Sequence, residues 1–175
     1  MQEEKSRMDL WKLYDKDNKP LGKIIPRGTP LKPGEYYHVG CVIIINQEGK
    51  ILITRRSQEK VNYPLFLECT CGTLNPEEDP LEGSLREVHE ETGLPAKKED
   101  LKFLGILRQE DKFSYIYLAQ IDGKTEDLRL QKEEVAQGGF FTKKEFFSYL
   151  ENGDYAPPME ERLRWAYPYY KDLLR

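Results

Sequence analysis

The sequence lacks a disulfide framework, a long apolar run and a surplus of positive charge. Its three cysteines, Cys41, Cys69 and Cys71, are an odd number at spacings that suggest no set of bridges, which is typical of a reducing compartment. No run approaches the roughly 18 apolar residues that a spanning helix needs, and the charged N-terminal stretch has no apolar signal segment. We therefore expect a cytoplasmic protein that does not associate with a membrane.

The charge balance argues against a nucleic-acid partner. The chain has 27 Lys and Arg against 31 Asp and Glu, a formal net charge of −4. With 38% hydrophobic and 33% charged residues, it has the composition of a globular domain. A length of 175 residues predicts one domain whose core needs no metal or disulfide to fold.

Alternating and β-branched segments predict most of the first two thirds to be strands. LWKLYDKDNKPLGK alternates around a turn and predicts an N-terminal hairpin, and YYHVGCVIIINQEGKILITRR predicts a second, buried hairpin. Further strands are expected in LKFLGILR, FSYIYLAQI and GGFF. A turn at Asp122 and Gly123 is expected after the second of these. Helices are expected in TKKEFFSYLEN after Thr142 and in PPMEERLRWAYPYYKDLL. Strands mixed with a few helices favour an α/β or α+β sandwich.

The segment DPLEGSLREVHEETGLP carries strong boundary signals for a helix. Asp79 is a candidate N-cap with Glu82 three residues later, Pro80 suits the first helical position, and Gly93 suits the position after the last turn. The predicted helix is about thirteen residues long. Its apolar stripe, which we expect to face the core, consists of Leu81, Leu85 and Val88.

Three glutamates lie on one arc of this helix. Glu87, Glu90 and Glu91 repel one another by roughly 0.2–0.5 kcal/mol per pair, and Gly83 one turn earlier leaves space above them. They could be a solvated face on which Arg86 pairs with Glu90. A cluster of carboxylates without a cation on its arc is also what Mg²⁺ or Mn²⁺ binds, together with substrate phosphates.

The stretch GTLNPEEDPLEGSLREVHEETGL resembles the Nudix box throughout, from Gly72 through Glu78 to Leu94. The resemblance implies an α/β/α sandwich around a mixed sheet, and a site for divalent cations and a small-molecule diphosphate substrate that water attacks at phosphorus. It implies Glu87, Glu90 and Glu91 as metal ligands, and Arg86 as the arginine that orients a glutamate. Gly72 is expected to contact the substrate.

The resemblance also implies a division of the chain and a further carboxylate. Residues 1–175 form one Nudix domain, with a hairpin and loop at 1–34, a core at 35–145 and a helical segment at 146–175. A carboxylate outside the box often completes such a site, although each candidate alone is more simply a surface residue. The candidates are Glu110, Asp111, Glu133 and Glu134.

Outside the box the chain resembles the subgroup related to isopentenyl-diphosphate isomerase. Cys71 stands where that isomerase has a cysteine, Arg56 and Lys60 match its diphosphate-binding pair, and His38 falls near a metal-binding histidine. Cys69 and Cys71 could both be small buried hydrophobes, His38 a satisfied polar residue, and Arg56 and Lys60 a solvated strand end.

The departures from the isomerase favour hydrolysis. The isomerase uses three histidines around its metal, whereas this chain has two, and the chain keeps the complete REVHEE core. The first alternative is therefore an isomerase, and the second is a non-catalytic nucleotide or metabolite sensor. Aromatic residues of the last helix cover the sheet or a second subunit, which leaves a homodimer as an option; they are Trp165, Tyr167, Tyr169 and Tyr170.

Overall fold

The computed structural model describes residues 10–175. The strands in this part of the chain are β1 (Leu10–Tyr14), β2 (Pro20–Pro26), β3 (Tyr37–Ile45), β4 (Ile51–Arg56), β5 (Leu67–Glu68), β6 (Thr70–Thr73), β7 (Leu101–Arg108), β8 (Lys112–Gln120) and β9 (Val135–Phe141). The α-helices are α1 (Pro80–Thr92), α2 (Lys143–Asn152) and α3 (Pro157–Tyr170). Short 3₁₀ turns lie at Lys98–Asp100 and Thr125–Asp127.

Strand β3 is the centre of a mixed sheet. The main path runs β5-β4-β3-β8-β7, with β6 paired to β3 and β9 paired to β4. The β3–β8 pair is parallel, and the β3–β4 and β3–β6 pairs are antiparallel. Strands β1 and β2 form a separate antiparallel pair. The predicted mixed sheet and N-terminal hairpin are both confirmed.

The apolar run of β3 is buried on both faces because successive side chains of a strand point to opposite sides. Ile43 and Ile45 belong to a core cluster formed with helices α2 and α3. Val42 and Ile44 belong to a second cluster, which contains Val88 of α1. Helix α1 therefore covers one face of the sheet and the C-terminal helices cover the other, which confirms the predicted α/β/α sandwich.

Helix α1 has the predicted boundaries. The Asp79 side chain accepts hydrogen bonds from the backbone N–H groups of Leu81 and Glu82, and satisfies donors that the first turn leaves unpaired. Gly93 ends the helix at φ 71°, in the left-handed region that glycine adopts without a steric penalty. The side chain of Glu82 pairs with Lys98. Val88 is fully buried, as its place on the apolar stripe predicts.

Two local expectations differ from the structure. Gly83 does not leave open space, because a Cβ atom there would lie 2.5 Å from Leu74 and 2.7 Å from a carboxylate oxygen of Glu78. The loop before α1 fills that space. Asp122 and Gly123 do not form a turn between strands: the side chain of Asn46 donates to the Gly123 carbonyl at 2.9 Å, which guides the chain into the second 3₁₀ turn.

The helices are short. The longest in the described part of the chain has 14 residues, and across residues 10–175 no helix has the length together with the apolar character that crossing a bilayer demands.

Close packing at Gly40 seats helix α1 on the sheet, and Gly40→Ala tests this. The new Cβ would overlap the hydroxyl of Ser84 and lie 3.2 Å from Leu74. We expect a loss of about 1–3 kcal/mol in the free energy of unfolding, measured in urea, because overpacking forces the layers apart. The double variant with Ser84→Ala should recover part of this loss. Strictly additive losses would contradict the contact.

Candidate active site

One guanidinium holds three of the carboxylates at the start and along the side of α1. Arg86 Nε and Nη2 donate to the two carboxylate oxygens of Glu78 at 2.7 and 2.9 Å. Its Nη1 donates to Glu87 at 2.8 Å and to Glu90 at 3.0 Å. The anticipated Arg86–Glu90 pairing is therefore present, and the same arginine also fixes Glu87.

Glu91 is the carboxylate that Arg86 does not reach. It is 5% exposed, and its Oε2 atom has no hydrogen-bond partner among the described residues. Burial, and next the charge of Glu68, raise the pKa of Glu91, and burial also raises the pKa of Glu87. An unpaired buried carboxylate oxygen is costly, so this position favours a proton or a cation beside it.

Strand β6 lies directly against the acidic side of α1. A Cβ atom at Gly72 would overlap the carboxyl group of Glu87, so any larger residue there would displace that carboxyl group. Gly72 and Glu87 line the same cleft with Glu90 and Glu91. The structure thus places Gly72 beside the acids, where its backbone and their carboxylates line one cleft.

Two cationic side chains also line the cleft. Arg27, from the loop after β2, and Lys60, from the loop after β4, both line it. Lys60 pairs with Glu134, which is the one candidate carboxylate from the sequence that lines this cleft. Glu110 and Asp111 line a neighbouring cavity instead, beside Trp11 and Glu161. Glu133 is exposed to solvent.

Arg56 is engaged within the protein. Its Nε donates to the carbonyls of Asn62 and Tyr63, both at 3.1 Å, and its Nη1 donates to Glu68 at 2.7 Å. Arg56 therefore holds the loop after β4 and neutralises Glu68, which is 5% exposed. Arg56 lines a cavity that adjoins the cleft and shares Lys60 and Gly72 with it.

Sequence reasoning missed Arg27 and Glu68. Glu68 stands inside the apolar segment FLEC, and a charged residue in a buried strand was a signal that could have identified it. Arg27 had no comparable signal, since it lies in an irregular, exposed loop and reaches the cleft through the placement of the hairpin.

His38 is satisfied away from the acids. Its ring stacks on Tyr14 with centroids 3.5 Å apart, and its Nε2 is 2.6 Å from the side-chain oxygen of Asn18. Burial, and then the charge of Lys12, lower the pKa of His38 to about 4. The residue is therefore neutral at pH 7 and fits the structural interpretation of the sequence.

Cys69, which lies between β5 and β6, and Cys71 of β6 differ in their surroundings. Cys69 is buried and donates to the Leu52 carbonyl. Cys71 is partly exposed at the cleft and accepts a hydrogen bond from Arg162 Nη1 at 3.0 Å. The facing Cys41 thiol and the Arg162 guanidinium lower the pKa of Cys71 to about 7 despite burial. The interpretation as a small hydrophobe suits Cys69, whereas Cys71 is polarised.

A sequence model of the NUDIX domain matches residues 36–166, which include β6, α1 and Lys60 of the cleft. The chain belongs to the Nudix family. The prediction of a Nudix pyrophosphohydrolase is thereby confirmed at the level of the family.

Similarity to individual Nudix proteins extends over most of the chain. It is 31% identical to a Nudix hydrolase of Listeria monocytogenes, over 86% of this chain and 89% of that protein. It is 26% identical to an isopentenyl-diphosphate delta-isomerase of Streptomyces griseus, over 78% and 72%, which confirms the predicted likeness to that subgroup. A Deinococcus radiodurans crystal structure, 20% identical, has a TM-score of 0.75 over 90% of this chain and 99% of its own, and shows the shared fold.

The Nudix carboxylates fit a divalent cation in chemistry, although Arg86 holds two of them. Within residues 10–175, no three acidic, histidine or cysteine side chains converge closely enough to ligate an ion as they stand. The unpartnered Oε2 of Glu91 is nevertheless a hard anionic oxygen beside the cleft. Glu90 is the most exposed of the three acids.

The raised pKa of Glu91 predicts that Glu91→Gln increases the free energy of unfolding by an amount that depends on pH. The folded state binds the proton of the Glu91 carboxyl group more tightly than the unfolded state does. Protonation of Glu91 therefore contributes to stability below about pH 4.3, and this contribution is lost as the pH rises through the raised pKa. In chelator, the free energy of unfolding of Glu91→Gln should exceed that of the wild type by about 1 kcal/mol or more at pH 7.5 and match it near pH 4.5. Urea unfolding at both pH values measures this.

Glu82→Gln on the same helix is the matched control, because Glu82 is exposed, and it should not raise the free energy of unfolding at pH 7.5. Millimolar Mg²⁺ should raise the stability of the wild type more than that of Glu91→Gln, since only a ligand that binds the native state stabilises it. An equal effect of pH on the wild type and on Glu91→Gln would contradict the assignment.

Proposed function

We propose that this Nudix protein hydrolyses a diphosphate linkage in a nucleoside diphosphate derivative or a similar small metabolite, by attack of water on phosphorus with Mg²⁺ or Mn²⁺ as cofactor. The observation that carries the proposal is the unpartnered, buried Oε2 of Glu91 beside Glu87 and the backbone of Gly72. Two buried carboxylates of raised pKa at an open cleft fit a cation better than they fit a purely structural role.

Glu87, Glu90 and Glu91 are the proposed metal ligands. Their positions on successive turns of α1 present the carboxylates along one side of a rigid element. A divalent cation bound there would neutralise phosphate charge and lower the pKa of a water molecule. Arg86 orients Glu87 and, through Glu78, ties the loop before α1 to the helix. The helix thereby keeps its acids in place while a ligand enters.

The cationic side chains of the cleft suit the substrate phosphates. Arg27 lines the cleft and two adjoining cavities, and guanidinium groups match phosphate geometry. Lys60 lines the same cleft, where it pairs with Glu134. Incoming phosphate would compete for Lys60 and free the Glu134 carboxylate. Glu134 is therefore our preferred general base outside the box.

An isomerase remains the second candidate because Cys71 opens on the cleft and the chain is similar to a Streptomyces isomerase. Two observations favour hydrolysis. His38 is held by Tyr14 and Asn18 away from the acids, and the carboxylate set of α1 is complete. A sensor has no need for that complete set. We further propose a cytoplasmic location with a small molecule as the partner.

Glu91→Gln and Glu90→Gln should each lower turnover by about 10² or more while the fold is retained, because each removes a carboxylate that would hold the cation, and the cation would neutralise the negative charge of the transition state. The measurement is Mg²⁺-dependent release of mononucleotide or phosphate from nucleoside diphosphate sugars, dinucleotides and nucleoside triphosphates. Glu82→Gln, on the same helix but outside the cleft, should keep the wild-type rate. Full activity of Glu91→Gln would refute the metal assignment.

Cys71→Ala separates hydrolysis from isomerisation. A hydrolase should keep its rate within about tenfold, since the alanine removes only a neighbour of the cleft. An isomerase should lose its isopentenyl-diphosphate activity, because its proton transfer needs the thiol. Both activities are assayed on the same preparations of wild type and variant. Isomerisation that disappears with Cys71, together with no hydrolysis of any substrate, would reverse the ranking.

A further inference from the structure

Cys41 and Cys71 face one another across two paired strands. They are register partners in the antiparallel β3–β6 pair, and both side chains lie on the face that packs against α3. Leu74 N–H donates to the His38 carbonyl at 3.1 Å, which makes 38 and 74 a hydrogen-bonded pair. Because such pairs alternate along an antiparallel ladder, Cys41 and Cys71 form a non-hydrogen-bonded pair.

This register suits a disulfide. The Cα atoms of a non-hydrogen-bonded pair are about 4.5 Å apart, and disulfides span roughly 4.4–6.8 Å between Cα atoms. Directly opposite side chains point to the same side of the sheet, so the two sulfurs can meet without a change of register. Cys69, by contrast, donates to the backbone of β4 and has no register partner with a thiol.

Arg162 activates one of these two thiols. This buried guanidinium reaches from α3, and its Nε donates to Gln109 at 2.7 Å and to Ser114 at 2.9 Å. Its Nη1 donates to the sulfur of Cys71 at 3.0 Å. A cation in contact with a cysteine favours the thiolate, the form that reacts with oxidants. Cys71 is also the partly exposed partner, whereas Cys41 is fully buried.

We propose that Cys71 and Cys41 form an oxidant-sensitive thiol pair that controls the cleft. Cys71 thiolate attacks hydrogen peroxide to give the sulfenic acid and hydroxide, so that sulfur is oxidised and the peroxide reduced. The Cys41 thiol then attacks the Cys71 sulfur, forms the disulfide and releases water, with its proton transferred to the departing hydroxyl. Reduction by a thiol such as dithiothreitol reverses the bridge.

The disulfide displaces the part of β6 that lines the cleft. The effect expected on the rate rests on the proposed hydrolysis. Formation of the bond draws the Cys71 sulfur toward Cys41 and away from Arg162. The next residue, Gly72, packs so closely on Glu87 that a shift of β6 reaches the acids. Because a displacement of about 1 Å in an active site can cost about 10²-fold in rate, we expect oxidation to slow hydrolysis by about tenfold or more.

The test treats the full-length reduced protein with hydrogen peroxide in chelator, followed by peptide mapping by mass spectrometry. We expect a Cys41–Cys71 peptide, with loss of two hydrogens from the intact mass. Hydrolysis is then measured, after addition of Mg²⁺, with the nucleoside diphosphate sugar that the reduced protein cleaves fastest. The rate should fall by about tenfold and return with dithiothreitol.

Two variants locate the reaction. Cys69→Ser, the matched control, should still form the Cys41–Cys71 bridge. Cys41→Ala should form none, and its Cys71 should be trapped as a sulfenic acid by dimedone. If Cys41→Ala does not fold, the peptide map of the wild type decides by itself.

A bridge through Cys69 or to a second chain, or no bridge at peroxide concentrations that oxidise a free thiol, would overturn the proposal. So would a bridge that leaves the hydrolysis rate unchanged. A bridge in a protein whose reduced form hydrolyses no substrate would instead refute the proposed function, because the mapping of the thiols does not depend on activity.

Discussion

The hydrogen bonds of Arg86 are the interaction on which the candidate site depends. A helix with three glutamates on one arc would repel itself, and this repulsion grows when the acids are buried against a strand. One guanidinium offsets much of it by donating to Glu78, Glu87 and Glu90. Because Glu78 precedes the helix, Arg86 also joins the loop before α1 to the helix and fixes the rim of the cleft.

Strand β6 transmits constraints from both helical layers to the cleft. From one side, Glu87 of α1 packs on the backbone of Gly72. From the other side, Arg162 of α3 reaches the sulfur of Cys71. Two adjacent residues therefore contact opposite layers of the sandwich, which explains how a change in the thiol can reach the acids. Strand β6 is short, Thr70–Thr73, so both contacts fall on neighbouring positions of one strand.

Local signals predicted the elements, and contacts between distant segments decided the exceptions. Asp79 and Gly93 act on their own neighbours, so the ends of α1 follow from the sequence alone. The open space expected at Gly83 is filled by Leu74. The Arg56 guanidinium donates to Glu68 and to two loop carbonyls, contacts that its local sequence does not indicate. No local pattern reports which distant group will meet a side chain.

The sequence by itself determined the layered fold, the helix with its acids and the family, because hydrophobic period, caps and fixed motif spacing are properties of neighbouring residues. Only the tertiary structure decided which side chains share the cleft. It brought in Arg27 from the hairpin loop, separated His38 from the acids and set Cys41 opposite Cys71. These placements arise from strand register and the packing of layers, in which residues far apart in sequence become neighbours.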